Sequence, residues 1–226
     1  MQAPTSTGDG KRRARRAVPL RAVNGVSDVK IGILAVQGDF AAHAARLAEL
    51  GAETVEVRTV KDLEGCDGLI LPGGESTTQL QFLQEEGLFD AVKKFAVDGG
   101  AIFGTCAGAI LLAKEVKNPA QVSLGLLDMI VLRNAYGRQM ASDVFFGSSN
   151  LADVPMEMVF IRAPVIESVG PGVEVLAEYG GKRVLVQKAN VMAATFHPEL
   201  TQDSSVHTHF LKMVGASPRR SASVVG

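Results

Sequence analysis

The sequence has little cysteine and no long hydrophobic run, and these two absences exclude whole classes of protein. Only two of its 226 residues are cysteine, Cys66 and Cys106, which is too few for a disulfide framework and favours a reducing cytoplasm. No apolar stretch reaches the roughly 18 residues that a membrane-spanning helix needs. Hydrophobic residues nevertheless make up 46% of the chain, so global disorder is excluded, and the length suggests one domain.

The net charge of −1 averages an acidic body with basic ends. Residues 1–21 carry six basic residues and one acidic residue, and Arg219 and Arg220 add two positive charges near the other end. Residues 22–218 hold 15 basic and 23 acidic residues, a net charge of −8. An acidic body of this kind gives no reason to expect nucleic-acid binding.

The two ends also differ from the body in composition. We expect residues 1–29 to form a disordered basic leader, residues 30–215 a single domain and residues 216–226 a flexible tail. The segment Lys11–Arg16 fits a solvated tail, an overextended start, a targeting peptide, or a patch for nucleic acid or a membrane surface. It lacks the apolar segment of a secretory signal.

Strand-like and helix-like segments alternate through the first half of the body. Short apolar runs predict buried parallel strands, and segments with apolar residues at helical spacing lie between them. This βαβα order predicts an α/β fold with an open, mostly parallel sheet and helices on both faces. Strands are expected at 30–37, 54–57, 68–71 and 101–104, and helices at 40–50, 77–86, 88–98 and 107–113.

The second half predicts a small antiparallel extension and a closing helix. The closing helix is expected at 205–214, and Asp203 and Ser204 suit its N-cap. Turns such as residues 179–182 join some of the strands as hairpins. The strand candidates are 125–133, 158–161, 173–179, 182–188 and 191–195.

The pentapeptide Gly104-Thr105-Cys106-Ala107-Gly108 is the strongest local signal. It lies between a predicted strand and a predicted helix and has the form of a nucleophile elbow with cysteine as the nucleophile. Such a turn projects the side chain at the sheet edge, its small neighbours relieve crowding, and the helix N-terminus favours a thiolate. A buried core cysteine beside a glycine-rich turn is the alternative.

A cysteine nucleophile needs a base, and His197 is the candidate among four histidines. It follows a predicted strand, and in an extended backbone Glu199 would point the same way and hold the imidazole tautomer. Taken alone, this segment fits a loop histidine better. We expect His43 to face solvent in the middle of a helix. His207 and His209 do not share a helix face, so they predict no metal pair.

A glycine pair follows the third predicted strand in the segment 71–78, Leu-Pro-Gly-Gly-Glu-Ser-Thr-Thr. Glycine lets backbone N–H groups approach a ligand closely, which suits an oxyanion hole or a phosphate cradle. The segment has no Gly-Lys-Ser/Thr sequence, which disfavours a nucleotide loop. Ser76 or Thr77 is expected to cap the next helix, and a plain tight turn is the alternative. All three motifs should meet at the carboxyl edge of one sheet.

Together these motifs resemble the class I triad glutamine amidotransferases, and more narrowly the glutaminase subunits of the deoxyxylulose-independent pyridoxal phosphate synthases. The similarity covers about residues 30–214 and implies a flavodoxin-like fold. Residues 133–139 and 160–164 separate this kind of subunit from other triad glutaminases. The segments that carry the resemblance are 31–43, 69–78, 103–116, 124–139, 160–164 and 195–203.

The resemblance implies that a Cys106–His197–Glu199 triad hydrolyses L-glutamine to L-glutamate and ammonia, without a cofactor or metal. The implied oxyanion donors are the backbone N–H groups of Gly74 and Ala107. Arginine suits the substrate's carboxylate because its guanidinium is a planar donor fork. Without the resemblance, Arg133 and Arg162 would be assigned to surface or strand-end ion pairs. The implied substrate-binding residues are Gly74, Glu75, Ser76, Arg133, Ile161 and Arg162.

The resemblance also implies a partner, because ammonia released into water would be protonated and lost. That partner is the lyase subunit of a pyridoxal 5′-phosphate synthase, in a cytoplasmic hetero-oligomer with a dodecameric core. No nucleic acid or membrane is implied. Docking is expected to fix the peptide between Gly73 and Gly74 so that its N–H faces the oxyanion.

Three other functions stay open from the sequence. They are the glutaminase subunit of another amidotransferase, a cysteine hydrolase or chaperone of the DJ-1 type, and a non-catalytic scaffold. The late His-Pro-Glu segment speaks against the second, and the complete Cys106, His197 and Glu199 set speaks against the third. Cys66 is expected to be a packing residue, because cysteines outside disulfides are often simply buried.

Overall fold

The computed structural model describes residues 29–134 and 143–217. Residues 1–28 of the leader predicted at 1–29 lie outside these ranges, as do residues 218–226 of the tail predicted at 216–226 and residues 135–139 of the resemblance segment. Within them, no helix combines the length and the apolar character needed to cross a membrane.

A central sheet of nine strands organises the described chain, in the spatial order β2-β1-β3-β4-β12-β11-β10-β7-β8. A second sheet has the order β5-β6-β9. The strands are β1 Lys30–Leu34, β2 Glu53–Val57, β3 Gly68–Leu71, β4 Ala101–Thr105, β5 Ala113–Lys117, β6 Leu127–Leu132, β7 Asp143–Ser149, β8 Met156–Phe160, β9 Val165–Val169, β10 Glu174–Tyr179, β11 Lys182–Lys188 and β12 Val191–Ala194.

The first five strands of the central sheet are parallel and confirm the predicted fold class. Their order, β2-β1-β3-β4-β12, is the 2-1-3-4-5 order of a flavodoxin-like fold. Strands β11, β10, β7 and β8 continue the sheet in antiparallel fashion, as the predicted extension requires. The carboxyl ends of the parallel strands therefore meet at one edge.

Helices cover both faces of the parallel strands because successive strand residues point to opposite sides. On one face Ile33 packs in a cluster with Phe210, and on the other Leu34 packs in a cluster with Phe95. The helices are α1 Phe40–Glu49, α2 Ser76–Glu85, α3 Leu88–Val97, α4 Ala107–Leu112 and α5 Ser205–Ala216.

Strands β5, β7 and β9 were not predicted from the sequence. Strand β5 carries three charged residues in five, and it forms because β6 lies beside it in parallel register. Strand β9 pairs with β6, and β7 pairs with β8 and β10. For β5, tertiary pairing overrides a weak local preference.

The expected helix caps were partly wrong. Helix α2 begins with Glu75 in the N-cap position, and Ser76 instead donates its hydroxyl to Gln121 Oε1 at 3.0 Å. At the start of α5, Ser204 occupies the N-cap position without a side-chain cap hydrogen bond, while Asp203 Oδ1 accepts from the Ser205 N–H at 2.8 Å. The carboxylate one residue earlier therefore satisfies a first-turn donor.

Two glycines of the pentapeptide allow β4 and α4 to pack closely. A Cβ at Gly104 would lie 2.6 Å from the backbone of Gly108, and a Cβ at Gly108 would overlap the backbone carbonyl of Leu71. The turn that carries Cys106 therefore packs closely against β3, with no space for a side chain at Gly104 or Gly108.

We predict that Gly108→Ala lowers the free energy of unfolding by about 1–3 kcal/mol, because overpacking forces the backbone to move. Gly215→Ala is the matched control, since no atom lies within 4 Å of a Cβ there. In helix α5 that change should be neutral or stabilise the protein by up to about 1 kcal/mol. Urea denaturation of both variants checks the difference, and equal effects would contradict the close packing.

Candidate active site

Cys106 lies in the turn between β4 and α4 with a strained backbone. Its φ is 47° and its ψ is −99°, a region that non-glycine residues rarely adopt and that clusters at functional sites. The surrounding backbone holds this geometry, because the Cys106 N–H donates to Ala194 O at 2.9 Å and its carbonyl accepts from the Ile110 N–H at 3.2 Å. The thiol is directed towards Ile161, with Sγ 3.8 Å from the carbonyl oxygen.

His197 and Glu199 form a buried pair beside this turn. His197 Nδ1 lies 2.8 Å from Glu199 Oε1, and both residues are 3% exposed. The expected extended backbone was wrong, because β12 ends at Ala194 and a 3₁₀ turn, Pro198–Leu200, begins directly after His197. The turn, and not strand alternation, brings the carboxylate back onto the ring.

Burial and hydrogen bonding shift both groups of this pair. Burial lowers the pKa of His197, but the neighbouring Cys106 sulfur and the hydrogen-bonded Glu199 carboxylate more than offset it and raise that pKa to about 10. Burial also raises the pKa of Glu199, and its contacts with His197 oppose the rise. The surroundings of the imidazole therefore favour its protonated form.

A cavity of about 310 Å³ opens over Cys106 and His197. Arg133 is held at its wall by a hydrogen bond from Nη2 to Thr77 Oγ1 at 3.2 Å, and Arg162 has a positive φ of 44°. The predicted site residues that line the cavity are Gly74, Glu75, Ser76, Cys106, Arg133, Ile161, Arg162 and His197. Ala107 begins α4 directly after the cysteine, and Glu199 lies behind the histidine.

Several lining residues were not predicted from the sequence. Gln37 and Asp39 follow β1, and Asn134 and Pro164 also face the cavity. A signal was available for the first two, because ligands of parallel sheets bind beyond the carboxyl ends of the strands and β1 ends at Leu34. Gln37 Nε2 donates to the Glu75 carbonyl at 3.0 Å and so joins the two loops.

The buried side chain of Gln79 holds the Gly73–Gly74 turn through two hydrogen bonds. Gln79 Nε2 donates to the carbonyls of Pro72 and Gly73, both at 3.1 Å. Because the C=O and N–H of a trans peptide point in opposite directions, the Gly74 N–H points away from Gln79. A Cβ at Gly73 would overlap the His197 ring, so only glycine fits there.

Asp39, His197 and Glu199 are the only group in the described ranges that presents at least three closely spaced ligand atoms for a metal, all within 4.8 Å of one another. His197 Nδ1 is already engaged with Glu199, and the Asp39 side chain is 42% exposed. We assign this cluster to orientation of the imidazole and not to a metal.

His43, which was expected to face solvent, is wholly buried. Its Nε2 lies 3.4 Å from Glu199 Oε2 and 3.2 Å from Thr105 Oγ1. The alanine-rich sequence of α1 concealed this, because the elements that cover the ring are distant in the chain.

Solved structures identify the class of protein that shares this fold. A crystal structure described as a glutamine amidotransferase superposes with a TM-score of 0.77 at 48% sequence identity, covering 82% of this chain and 98% of that chain. A structure described as PurLQS from Thermotoga maritima has a TM-score of 0.60 at 17% identity, covering 82% of this chain and 98% of that chain, which supports the fold alone.

The chain belongs to the SNO glutamine amidotransferase family, whose model matches residues 33–216, and it is therefore the glutaminase enzyme that the motifs predicted. It is 55% identical over 186 residues to a protein of Koribacter versatilis named pyridoxal 5′-phosphate synthase subunit PdxT, covering 82% of this chain and 96% of that protein. Proteins of the same name from Deinococcus radiodurans and Thermotoga maritima are 50% and 48% identical, covering 82% of this chain and 97% and 100% of theirs.

We predict that the raised pKa of His197 stabilises the folded protein in a pH-dependent way. Because the folded-state pKa of about 10 lies above the ordinary value of 6.5, the contribution is complete below pH 6.5 and is lost as the pH rises towards 10. Urea unfolding of the chain and of His197→Gln between pH 6 and 10 tests this. The difference in stability should shrink with rising pH, and a constant difference would contradict the assignment.

Proposed function

We propose that the chain hydrolyses the side-chain amide of L-glutamine to L-glutamate and ammonia with Cys106, His197 and Glu199. The observation that carries the proposal is the buried 2.8 Å pair of His197 and Glu199 beside a cysteine with a strained backbone. A nucleophile, a base and a group that orients the base form the set needed for covalent acyl transfer. Membership of a glutamine amidotransferase family supports glutamine as the acyl donor.

The reaction then proceeds in two halves. His197 holds the proton given up by the Cys106 thiol, in line with its raised pKa, and Cys106 Sγ attacks the side-chain carbonyl carbon to form a tetrahedral intermediate. The imidazolium returns a proton to the departing nitrogen, which leaves as ammonia, and a thioester remains on the sulfur. His197 next activates water, which attacks the thioester and releases glutamate. Glu199 keeps the ring oriented and stabilises its charged form throughout.

The backbone N–H groups of Gly74 and Ala107 are the proposed oxyanion donors. Preorganised donors of this kind stabilise developing charge more effectively than water does. The hydrogen bonds from Gln79 to the Pro72 and Gly73 carbonyls support Gly74 as a donor, because they leave its N–H directed away from Gln79.

The substrate's two charged groups match the two kinds of charge around the cavity. Arg133 and Arg162 are proposed to hold the α-carboxylate, because guanidinium groups form charge-assisted hydrogen bonds with carboxylates. Glu75 is proposed to hold the α-ammonium group, with Ser76 beside it. Gly74 and Ile161 are proposed to contact the substrate through the backbone, since both line the same cavity.

We further propose that the ammonia passes to the lyase subunit of a pyridoxal 5′-phosphate synthase in a cytoplasmic complex with a dodecameric core. The names of the relatives from three bacteria support the partner, and two cysteines that form no disulfide suit a reducing compartment. Docking is proposed to complete the oxyanion hole at Gly74. Equal kcat for the isolated and docked chains would contradict that last step.

We predict that Cys106→Ala abolishes glutamate release from glutamine but leaves binding to the lyase subunit intact. Added ammonium salts should restore pyridoxal phosphate formation by the mixture, because only the nitrogen source is lost. Glutamate release and the absorbance of the product measure both effects. Cys66→Ala is the control, since Cys66 is buried away from the cavity and 2% exposed, and it should hydrolyse glutamine at nearly the wild-type rate. Hydrolysis by Cys106→Ala would overturn the mechanism.

We predict that Arg133→Gln raises the KM for glutamine by about tenfold or more, the loss expected for one hydrogen bond to a charged group. The rate at which iodoacetamide alkylates Cys106 should stay unchanged, because that neutral reagent needs no carboxylate site. Steady-state kinetics and peptide mass spectrometry measure the two quantities. An unchanged KM would exclude Arg133 from substrate binding, and slower alkylation would place its effect on the nucleophile.

A further inference from the structure

A buried histidine pair lies behind Glu199 and has no role in the proposed reaction steps. His43 on α1 and His207 on α5 are both 0% exposed. His43 Nδ1 lies 3.0 Å from His207 Nε2. On its other side, His43 Nε2 lies 3.2 Å from Thr105 Oγ1 and 3.4 Å from Glu199 Oε2. One ring therefore contacts the carboxylate, the residue before the nucleophile and a second imidazole.

The chemistry of the partners fixes which nitrogens carry protons. A proton on His43 Nε2 places the positive end of the N–H dipole near the Glu199 carboxylate, which only accepts. That nitrogen hydrogen-bonds with Thr105 Oγ1 and lies 3.4 Å from Glu199 Oε2. His43 Nδ1 then accepts from the Nε2–H of His207. Burial lowers the pKa of His43 and lowers that of His207 to about 4, so both rings are neutral near pH 7 and act as aligned dipoles.

The carboxylate needs a second donor because both of its oxygens are inside the protein. His197 Nδ1 hydrogen-bonds with Oε1 at 2.8 Å. No described group forms a hydrogen bond with Oε2. His43 Nε2 lies 3.4 Å from it, so the N–H dipole of His43 faces this oxygen without a full hydrogen bond. The other charged neighbours act differently: Asp39 opposes the negative charge and raises the pKa of Glu199, and Arg46 approaches the Glu199 backbone carbonyl at 3.5 Å.

We propose that His43, held in its tautomer by His207, is a positioning residue that fixes the second carboxylate oxygen of Glu199 and links it to the nucleophile turn through Thr105. The inference rests on the proposed triad. His43 does not line the cavity, so it acts on the reaction only through Glu199 and the turn. Removal of the His43 N–H makes the ionised form of Glu199 less stable. Glu199 then stabilises the protonated ring of His197 less well, so the Cys106 thiolate forms at higher pH.

The test compares substitutions that differ in where they place a donor. His43→Gln keeps an amide N–H near the position of Nε2, His43→Asn keeps one near Nδ1 only, and His43→Leu keeps none. The full chain with Cys66→Ala leaves Cys106 as its one cysteine. The pH dependence of iodoacetamide alkylation of Cys106 is the main readout, and it needs neither glutamine nor the lyase subunit.

We expect His43→Leu and His43→Asn to shift the alkylation profile upward by about one pH unit, because a buried carboxylate then loses the N–H dipole beside it. His43→Gln should stay within a few tenths of a unit of the parent. In the complex with the lyase subunit, the first two variants should lose about tenfold in kcat for glutamine with KM unchanged within twofold, whereas His43→Gln should lose less than threefold.

His209→Leu is the matched control, because His209 is half-buried on α5 and bonds to Gln187 outside this cluster. It should leave the profile and kcat unchanged. If His43→Leu does not fold, the Gln and Asn variants still decide the question, and identical profiles for those two would overturn the inference. Hydrolysis by Cys106→Ala would overturn the proposed function instead, and the alkylation profiles would then still report whether His43 tunes the thiol.

Discussion

The burial of the Glu199 carboxylate is the constraint on which the rest of the site depends. A buried charge is unfavourable unless hydrogen-bond donors surround it, and burial raises the pKa of Glu199. His197 supplies a donor at one oxygen and His43 lies against the other. The positions of both histidines are therefore tied to the same charge, and His43 also contacts Thr105, the last residue of the strand that precedes Cys106.

The order of the parallel strands explains why these groups meet. Ligands of such sheets bind beyond the carboxyl ends of the strands, and β1, β3, β4 and β12 all end at that edge. Helices α1 and α5, which cover one face of the sheet, carry the two buried histidines His43 and His207. The segments after the four strands supply, in turn, Asp39, Gly74, Cys106 and His197.

The sequence was informative where the structure is decided locally. The Gly104–Gly108 turn and the alternation of strands and helices depend on neighbouring residues, and both were predictable. His43 was not, because its partners His207 and Thr105 lie 164 and 62 residues away in the chain. Strand β5 was missed for the same reason, since its polar sequence becomes a strand only when β6 lies beside it. Tertiary contacts decide the structure at such positions, and a local sequence pattern does not predict those contacts.

Two carboxylates approach the same nitrogen of His197, and their burial decides what each contributes. Glu199 Oε1 lies at 2.8 Å with its side chain fully buried, whereas Asp39 Oδ2 lies at 3.6 Å with its side chain 42% exposed. Water screens the charge of Asp39, while Glu199 acts in an interior of low dielectric constant. Glu199 is therefore the group able to fix the imidazole tautomer, and Asp39 contributes a weaker potential at the cavity wall. Because the difference arises from burial and not from residue type, only the fold separates the two roles.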